Sequence, residues 1–186
     1  MTLTNQNIEQ LLERCALGDQ RAQMEVYNRY YKAMYNTAYR IVKDSAEAED
    51  VMQDSFLAAF TKLGNLKEKV TFGSWLKRIV INNSIYHYNR NSKYNNVPLD
   101  DVIYKVEDNS GIPDNYEFTN IKAKQVMDTM KGLKDNDRVS LTLHLIEGYD
   151  YEEISEIMNI SYANCRTTIS RAKESLRNKL QPKAEY

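Results

Sequence analysis

Apolar residues recur every three or four positions along almost the whole chain, and strand-like alternation between glycine and proline boundaries is almost absent. That spacing gathers apolar side chains on one face of a helix. Only six glycines and three prolines interrupt the 186 residues. The expected fold is therefore all-α. The pattern breaks once, over residues 91–117, where Pro98, Gly111, Pro113 and several Asn and Asp residues stand without a sustained period. Such composition is that of a linker. Two small helical domains are expected, residues 1–91 and 119–186, joined by a flexible acidic linker over 92–118. Fully extended, that linker reaches on the order of 90 Å.

In the first domain, Ile8, Leu11, Leu12 and Cys15 form a stripe that stops at Gly18. A long helix follows over about 20–42, with Ala22, Val26, Tyr30, Met34, Ala38 and Ile41 inward. Its tyrosines, Tyr27, Tyr30, Tyr31, Tyr35 and Tyr39, are too many for one face and should cover the core from its rim. Asp44 and Glu47 make a capping-box pattern that starts a third helix near Ser45 and carries it to Leu63. Its inner face is Val51, Met52, Ser55, Ala59, Phe60 and Leu63, which leaves Glu49, Asp50, Gln53, Asp54 and Leu57 on other faces. Acidic residues in a first turn suit the helix dipole, which accounts for Glu47 and Glu49 better than for Asp54 or Leu57. After a short loop, a fourth helix spans about 73–90, with Trp75, Leu76, Ile79, Val80 and Ile85 able to face the core.

In the second domain the stripe Ile121, Val126, Met127, Met130 and Leu133 gives one helix. Asp135 can cap the next, with Val139, Leu143 and Ile146 inward and Gly148 at its end. Asp150 and Glu153 open a short helix through Met158. Asn159-Ile160-Ser161 is a tight turn, and Ser161 can cap the last helix, whose stripe is Cys165, Ile169, Ala172, Leu176 and Leu180. Short helix, three-residue turn and a helix with a polar, basic start form a helix-turn-helix pattern.

Net charge is −1, yet its distribution is blocked. Lys62, Lys67, Lys69, Lys77, Arg78, Arg90 and Lys93 oppose only Glu68; Asp100 to Glu117 is acidic; Arg166, Arg171, Lys173, Arg177 and Lys179 oppose only Glu174. Two basic helical blocks separated by an acidic one fit two polyanion-binding surfaces, although solvated helix faces also cluster charge. On the fourth helix, cations, amides and aromatics interleave (Lys77, Arg78, Asn82, Asn83, Tyr86, Tyr88, Arg90). Single-stranded nucleic acid asks for that mixture: cations track phosphates, aromatics stack on bases and amides read base edges.

Other classes find little support. No apolar run approaches a membrane span, and Met1 to Glu9 lacks a signal-peptide pattern, so a cytoplasmic protein is expected. Cys15 and Cys165 lie far apart on helical patterns, which argues against a disulfide or metal framework. His87 and His144 have no partners at metal-ligand spacing. With no Gly-rich phosphate loop, carboxylate pair or Ser/His/Asp arrangement, neither catalysis nor a cofactor or metal is expected.

Three segments resemble the bacterial sigma-70 family, specifically the two-domain extracytoplasmic-function (ECF) group of RNA polymerase sigma factors. AEAEDVMQDSFLAAFTKL, Ala46 to Leu63, is similar to the region 2.2 helix that binds core polymerase. FGSWLKRIVINNSI, Phe72 to Ile85, resembles regions 2.3–2.4, which open and read the −10 element. IEGYDYEEISEIMNIS, Ile146 to Ser161, with the basic helix after it, resembles region 4, which binds the −35 element. The order matches, and regions 1.1 and 3 have no counterpart.

The resemblance implies a non-enzymatic promoter-recognition subunit. Glu49, Asp50, Gln53, Asp54 and Leu57 would dock on the clamp of the largest polymerase subunit. Asn65 to Thr71, with Asn65, Lys67 and Lys69, would capture a flipped −10 base. Phe72, Trp75, Lys77, Arg78, Asn82, Asn83 and Tyr86 would hold the unpaired strand. Tyr162, Asn164, Arg166, Thr167, Thr168, Ser170, Arg171 and Lys173 would meet duplex −35 DNA. The apolar side of the Asp135 helix would meet the flap of the other large subunit, the acidic linker would thread toward the active-site cleft, and an anti-sigma factor is implied as a further partner. Ala163-Asn164-Cys165, Thr168, Tyr86 and Asn89 depart from family usage, so the promoter sequence does not transfer. Two other readings stand beside this one: an autonomous helix-turn-helix regulator, and a sigma-like adaptor that binds protein only.

Overall fold

The computed structural model describes residues 6–94 and 117–181, with side chains for 6–90 and 121–181. Two compact units result, one ending at Tyr94 and the other beginning after it. Among the described residues there is no strand. Apart from the helix residues 92–94 and 117–118, the expected acidic linker lies outside the described residues.

The first unit holds four helices: α1 (Ile8–Ala16), α2 (Gln20–Val42), α3 (Ser45–Thr61) and α4 (Phe72–Tyr94). Short polar side chains start the first three. Asn7 accepts the amide hydrogen of Gln10 at 2.9 Å, Asp19 accepts from Arg21 and Ala22 at 2.9 and 3.2 Å, and Asp44 accepts from Glu47 at 2.9 Å. Each bond satisfies an amide that the helix itself leaves open. Gly18, at φ +82°, turns the chain between α1 and α2 in a conformation that strains other residues. Arg14 then clamps the Asp19 carboxylate at 2.6 and 2.8 Å, holding its pKa below the usual carboxylate value.

α2 packs on α1, α3 and α4, and α3 packs on α4. Leu11, Leu12, Cys15, Val26, Met34, Val51, Met52, Phe56, Phe72, Leu76 and Val80 fill the core, with fully buried Ala22, Ala38, Ala48 and Ala59 letting the helices approach. Phe56, absent from the expected inner face of α3, is 3% exposed and meets Tyr27 at a ring separation of 4.7 Å. Tyr27, Tyr31, Tyr35 and Tyr39 form a half-buried ladder along α2, with successive ring centroids 5.3, 5.8 and 6.1 Å apart. They cover the core from its rim, as their number requires.

α3 ends at Thr61 rather than Leu63, because two 3-10 turns, Leu63–Asn65 and Lys69–Thr71, take over before α4. α4 begins at Phe72 and continues past Arg90 to Tyr94. Gly73 sits where α4 comes close to α2: a Cβ there would lie 3.1 Å from the Tyr30 ring, tighter than ordinary van der Waals contact.

The second unit comprises α5 (Glu117–Lys131), α6 (Asp135–Leu141) running into a wide π turn (Thr142–Ile146), α7 (Tyr151–Met158) and α8 (Tyr162–Leu180). α5, α6 and α7 each pack on α8. The core is Met130, Leu133, Val139, Leu141, Leu143, Ile154, Cys165, Ile169, Ala172 and Leu176. Two expectations are corrected. Asp135 is the first helical residue, not the cap: Lys134 holds the cap position without a side-chain bond, and the Asp135 carboxylate accepts from the buried Arg138 at 3.1 Å. Ile121 is 63% exposed and lies off the buried face, so only the C-terminal half of the α5 stripe packs inward.

Candidate nucleic-acid and protein interfaces

On α3, Glu49, Asp50, Gln53, Asp54 and Leu57 are all exposed, Leu57 at 67%. Their spacing places them together on the side opposite Val51, Met52, Phe56 and Ala59. An apolar side chain standing free among three carboxylates fits a partner that is basic around an apolar spot. Ser55 is buried beneath and donates to the Val51 carbonyl at 2.6 Å. His87 of α4 approaches Asp54, with 4.0 Å between ring nitrogen and carboxylate. Glu47, at the edge of this face, has its pKa raised by desolvation and by Asp44, against the lowering effect of His87 and Arg90.

On α4, Trp75, Arg78, Asn82 and Tyr86 recur at i, i+3, i+7 and i+11, so one helical stripe carries an indole, a guanidinium, an amide and a phenol. Tyr86 is 64% exposed, Arg78 and Asn82 are exposed, and Trp75 is half-buried with its ring 6.0 Å from Phe72. Lys77 is half-buried and lies on nearly the opposite side of the helix from this stripe, only Arg78 being within about 100° of it. Asn83 is also half-buried, and its amide donates to the Ser55 hydroxyl at 2.9 Å, tying α4 to α3. Phe72 has to be removed from the expected strand-holding set. It is 0% exposed and meets Tyr30 edge-on at 5.3 Å, so it anchors the start of α4 in the core instead.

The turns before α4 are set by Leu63 and Leu66, which pack on the core, while Asn65, Lys67 and Val70 point to solvent, Val70 at 70%. Lys69 does not stand alone: its ammonium is 2.7 Å from the Glu13 carboxylate of α1. Nothing in the local sequence announces that pairing.

In the second unit, Asp150 and Glu153 make both bonds of the capping box, at 2.8 and 3.1 Å, and start α7. Asn159 takes the left-handed conformation, φ 52°, and Ser161 accepts from Asn164 at 3.3 Å to start α8. The three-residue turn thus aims the N-terminus of α8 outward. Tyr162, Asn164, Arg166, Thr167, Ser170 and Arg171 are exposed there, and Thr168 is half-buried. Arg166 lies 6.0 Å from the Tyr162 ring centre.

Lys173 is drawn away from that group. Its ammonium is 3.0 Å from Nε2 of His144, while His144 Nδ1 lies 3.1 Å from the Tyr149 carbonyl. A carbonyl only accepts, so Nδ1 carries the hydrogen and Nε2 accepts from Lys173. Tyr151 stacks on the imidazole at 5.0 Å and sits 5.9 Å from the same ammonium. The apolar side of α6 is likewise spent on the domain's own core through Val139, Leu141 and Leu143, leaving Leu145 in the following turn, at 50% exposure, as its open apolar residue. Leu145, Lys173, Leu176, Arg177, Leu180 and Gln181 line an open groove of about 490 Å³.

Burial pushes the Cys15 thiol up to about 11 and also raises Cys165. No helix among the described residues is long and apolar enough to cross a membrane.

Comparison with known proteins assigns residues 26–94 to the family described as Sigma-70 region 2 and residues 123–176 to Sigma-70, region 4. The RNA polymerase sigma-H factor of Pseudomonas aeruginosa is 31% identical, with 97% of each chain aligned. The ECF RNA polymerase sigma-E factor of Escherichia coli K12 is 30% identical over 92% of this chain and 93% of its own. Two solved structures share the fold. One is RpoE of Bartonella quintana in complex with the anti-sigma factor NepR (TM-score 0.57, 17% identity, 84% of this chain and 95% of that one). The other is CnrH in complex with the cytosolic domain of CnrY (TM-score 0.52, 22% identity, 93% and 96%).

Proposed function

Since the chain belongs to the extracytoplasmic-function group of the sigma-70 family, we propose that its helical surfaces divide the work of promoter recognition among core binding, −10 capture and −35 docking. As a sigma factor it binds RNA polymerase and directs transcription initiation at promoters. The residue assignments are our reading. The carboxylate face of α3, centred on Leu57, is the contact for the polymerase clamp. The α4 stripe and the turns before it hold the separated −10 strand. The exposed start of α8 enters the −35 major groove, with Arg166 and Arg171 on bases or phosphates. The acidic linker joins domain 1–91 to domain 119–186 and passes through the polymerase. RNA synthesis stays with the polymerase, and the site of action is the cytoplasm. Leu145 beside the groove is the part of the second domain open to the flap.

The α4 stripe carries the −10 assignment. Tyr86 and Trp75 offer π faces for exposed bases, Arg78 a cation for phosphate and Asn82 an amide for a base edge. Stacking worth about 1–3 kcal/mol per base offsets much of what unstacking a step costs. Strand binding is then itself the driving force for melting, with no ATP. Tyr86→Ala should weaken binding of single-stranded −10 DNA by the polymerase complex by about 1–3 kcal/mol. It should leave −35 duplex binding as it was. Equal strand binding by variant and wild type, measured by fluorescence anisotropy, removes Tyr86 from the interface.

One structural neighbour, RpoE, is in complex with the anti-sigma factor NepR, and the other, CnrH, is in complex with the cytosolic domain of CnrY. We infer a similar inhibitor for this chain, because a free sigma factor competes continuously for polymerase.

A further inference from the structure

Lys69 lies in the turn leading into α4, yet its 2.7 Å contact is with Glu13 on α1, 56 residues earlier. α1 packs against both 3-10 turns, and it precedes residues 26–94, the segment matched to region 2. The turn does not need this ion pair for its shape. Leu63 and Leu66 seat it on the core. The Thr71 hydroxyl donates to the Glu68 carbonyl at 2.7 Å, and the Ser74 hydroxyl donates to the Thr71 carbonyl at 2.9 Å. Backbone bonds from Asn65 to Lys62 and from Leu66 to Leu63 close the rest.

Both partners remain open to solvent, Lys69 at 42% and Glu13 at 62% side-chain exposure. An exposed pair of this kind separates at little cost. Carboxylate and phosphate oxygens also accept from the same ammonium donors, so one excludes the other at close range. We propose that Glu13 occupies on Lys69 the place that a phosphate of the captured −10 strand takes, so that α1 sets how tightly the strand is held. The inference rests on the −10 reading of the turn and α4.

The test uses the full chain bound to core polymerase and a fluorescein-labelled single-stranded oligonucleotide selected from a random pool on the wild-type complex. Glu13→Gln removes the competitor and should tighten strand binding about two- to five-fold, the range of an exposed ion pair. Lys69→Gln should weaken it by a similar factor. In the Lys69→Gln background, Glu13→Gln should change nothing, because the two residues act through one contact. Circular dichroism of each variant should match wild type. Equal binding by Glu13→Gln and wild type, or a gain that persists without Lys69, overturns the proposal. If Arg78→Ala and Tyr86→Ala weaken strand binding while Glu13→Gln does nothing, only the competition falls. If none of these changes matters, the −10 reading falls with it.

Discussion

Phe72 and Tyr86 stand on one helix and illustrate how burial separates two aromatic roles. Phe72 is wholly enclosed by Tyr30, Trp75 and the four-helix core, whereas Tyr86 is mostly open. Phe72→Ala should lower the stability of the first domain by about 3–5 kcal/mol, a cavity effect visible in chemical denaturation. Any loss of strand binding should then track the unfolded fraction. On α8, Arg171 is exposed while Lys173 is held by His144. Arg171→Ala should weaken −35 duplex binding and reduce the salt slope by about one unit if it neutralises a phosphate. An unchanged slope and affinity in a titration at several salt concentrations would exclude Arg171 from the DNA face. The sequence placed Tyr86, Arg171 and Lys173 on helices, but began α4 one residue after Phe72 and counted that ring among the strand-holding groups. It did not reveal which side chains the fold claims first. Lys69 with Glu13, Asn83 with Ser55 and Lys173 with His144 join residues 56, 28 and 29 positions apart, and only tertiary packing brings them together.

At the scale of elements, local rules went further. α2 and the start of α3 fall where apolar spacing and capping residues put them, and the Asp150–Glu153 box and the Ser161 cap form as their spacing requires. The helix-turn-helix depends on these short-range bonds, because α7 is only eight residues long and contributes Ile154 as its buried anchor. Asp150→Ala should destabilise the second domain by about 0.5–2 kcal/mol, measured by thermal melting of that domain's signal. Asn159→Gly should cost little, since glycine accepts the left-handed conformation without strain. Where the sequence expectation slipped, competition between neighbouring bonds explains it. The carboxylate of Asp135, a fair cap by type, is turned toward Arg138, and the helix starts one position earlier. The end of α3 gives way to 3-10 turns once Leu63 and Leu66 pack on the core.

Over the whole molecule, a net charge of −1 conceals two basic blocks in the sequence and an exposed acidic face on α3. The division into two helical units was legible from the break in apolar period, although the helices run to Tyr94 and begin at Glu117, inside the stretch assigned to the linker. With −10 capture proposed for the first unit and −35 docking for the second, polymerase is the partner on which the two would act together. That makes core binding the central claim, and the acidic face of α3 its most exposed test. The purified chain, mixed with bacterial core RNA polymerase and run on a sizing column, should co-elute with it and compete with a housekeeping sigma factor. Asp50→Lys with Asp54→Lys, both changes on the solvent side of α3, should abolish co-elution while the helical spectrum stays that of wild type. A folded wild-type chain that fails to bind core polymerase, or a doubly charge-reversed chain that binds as well as wild type, would contradict the account.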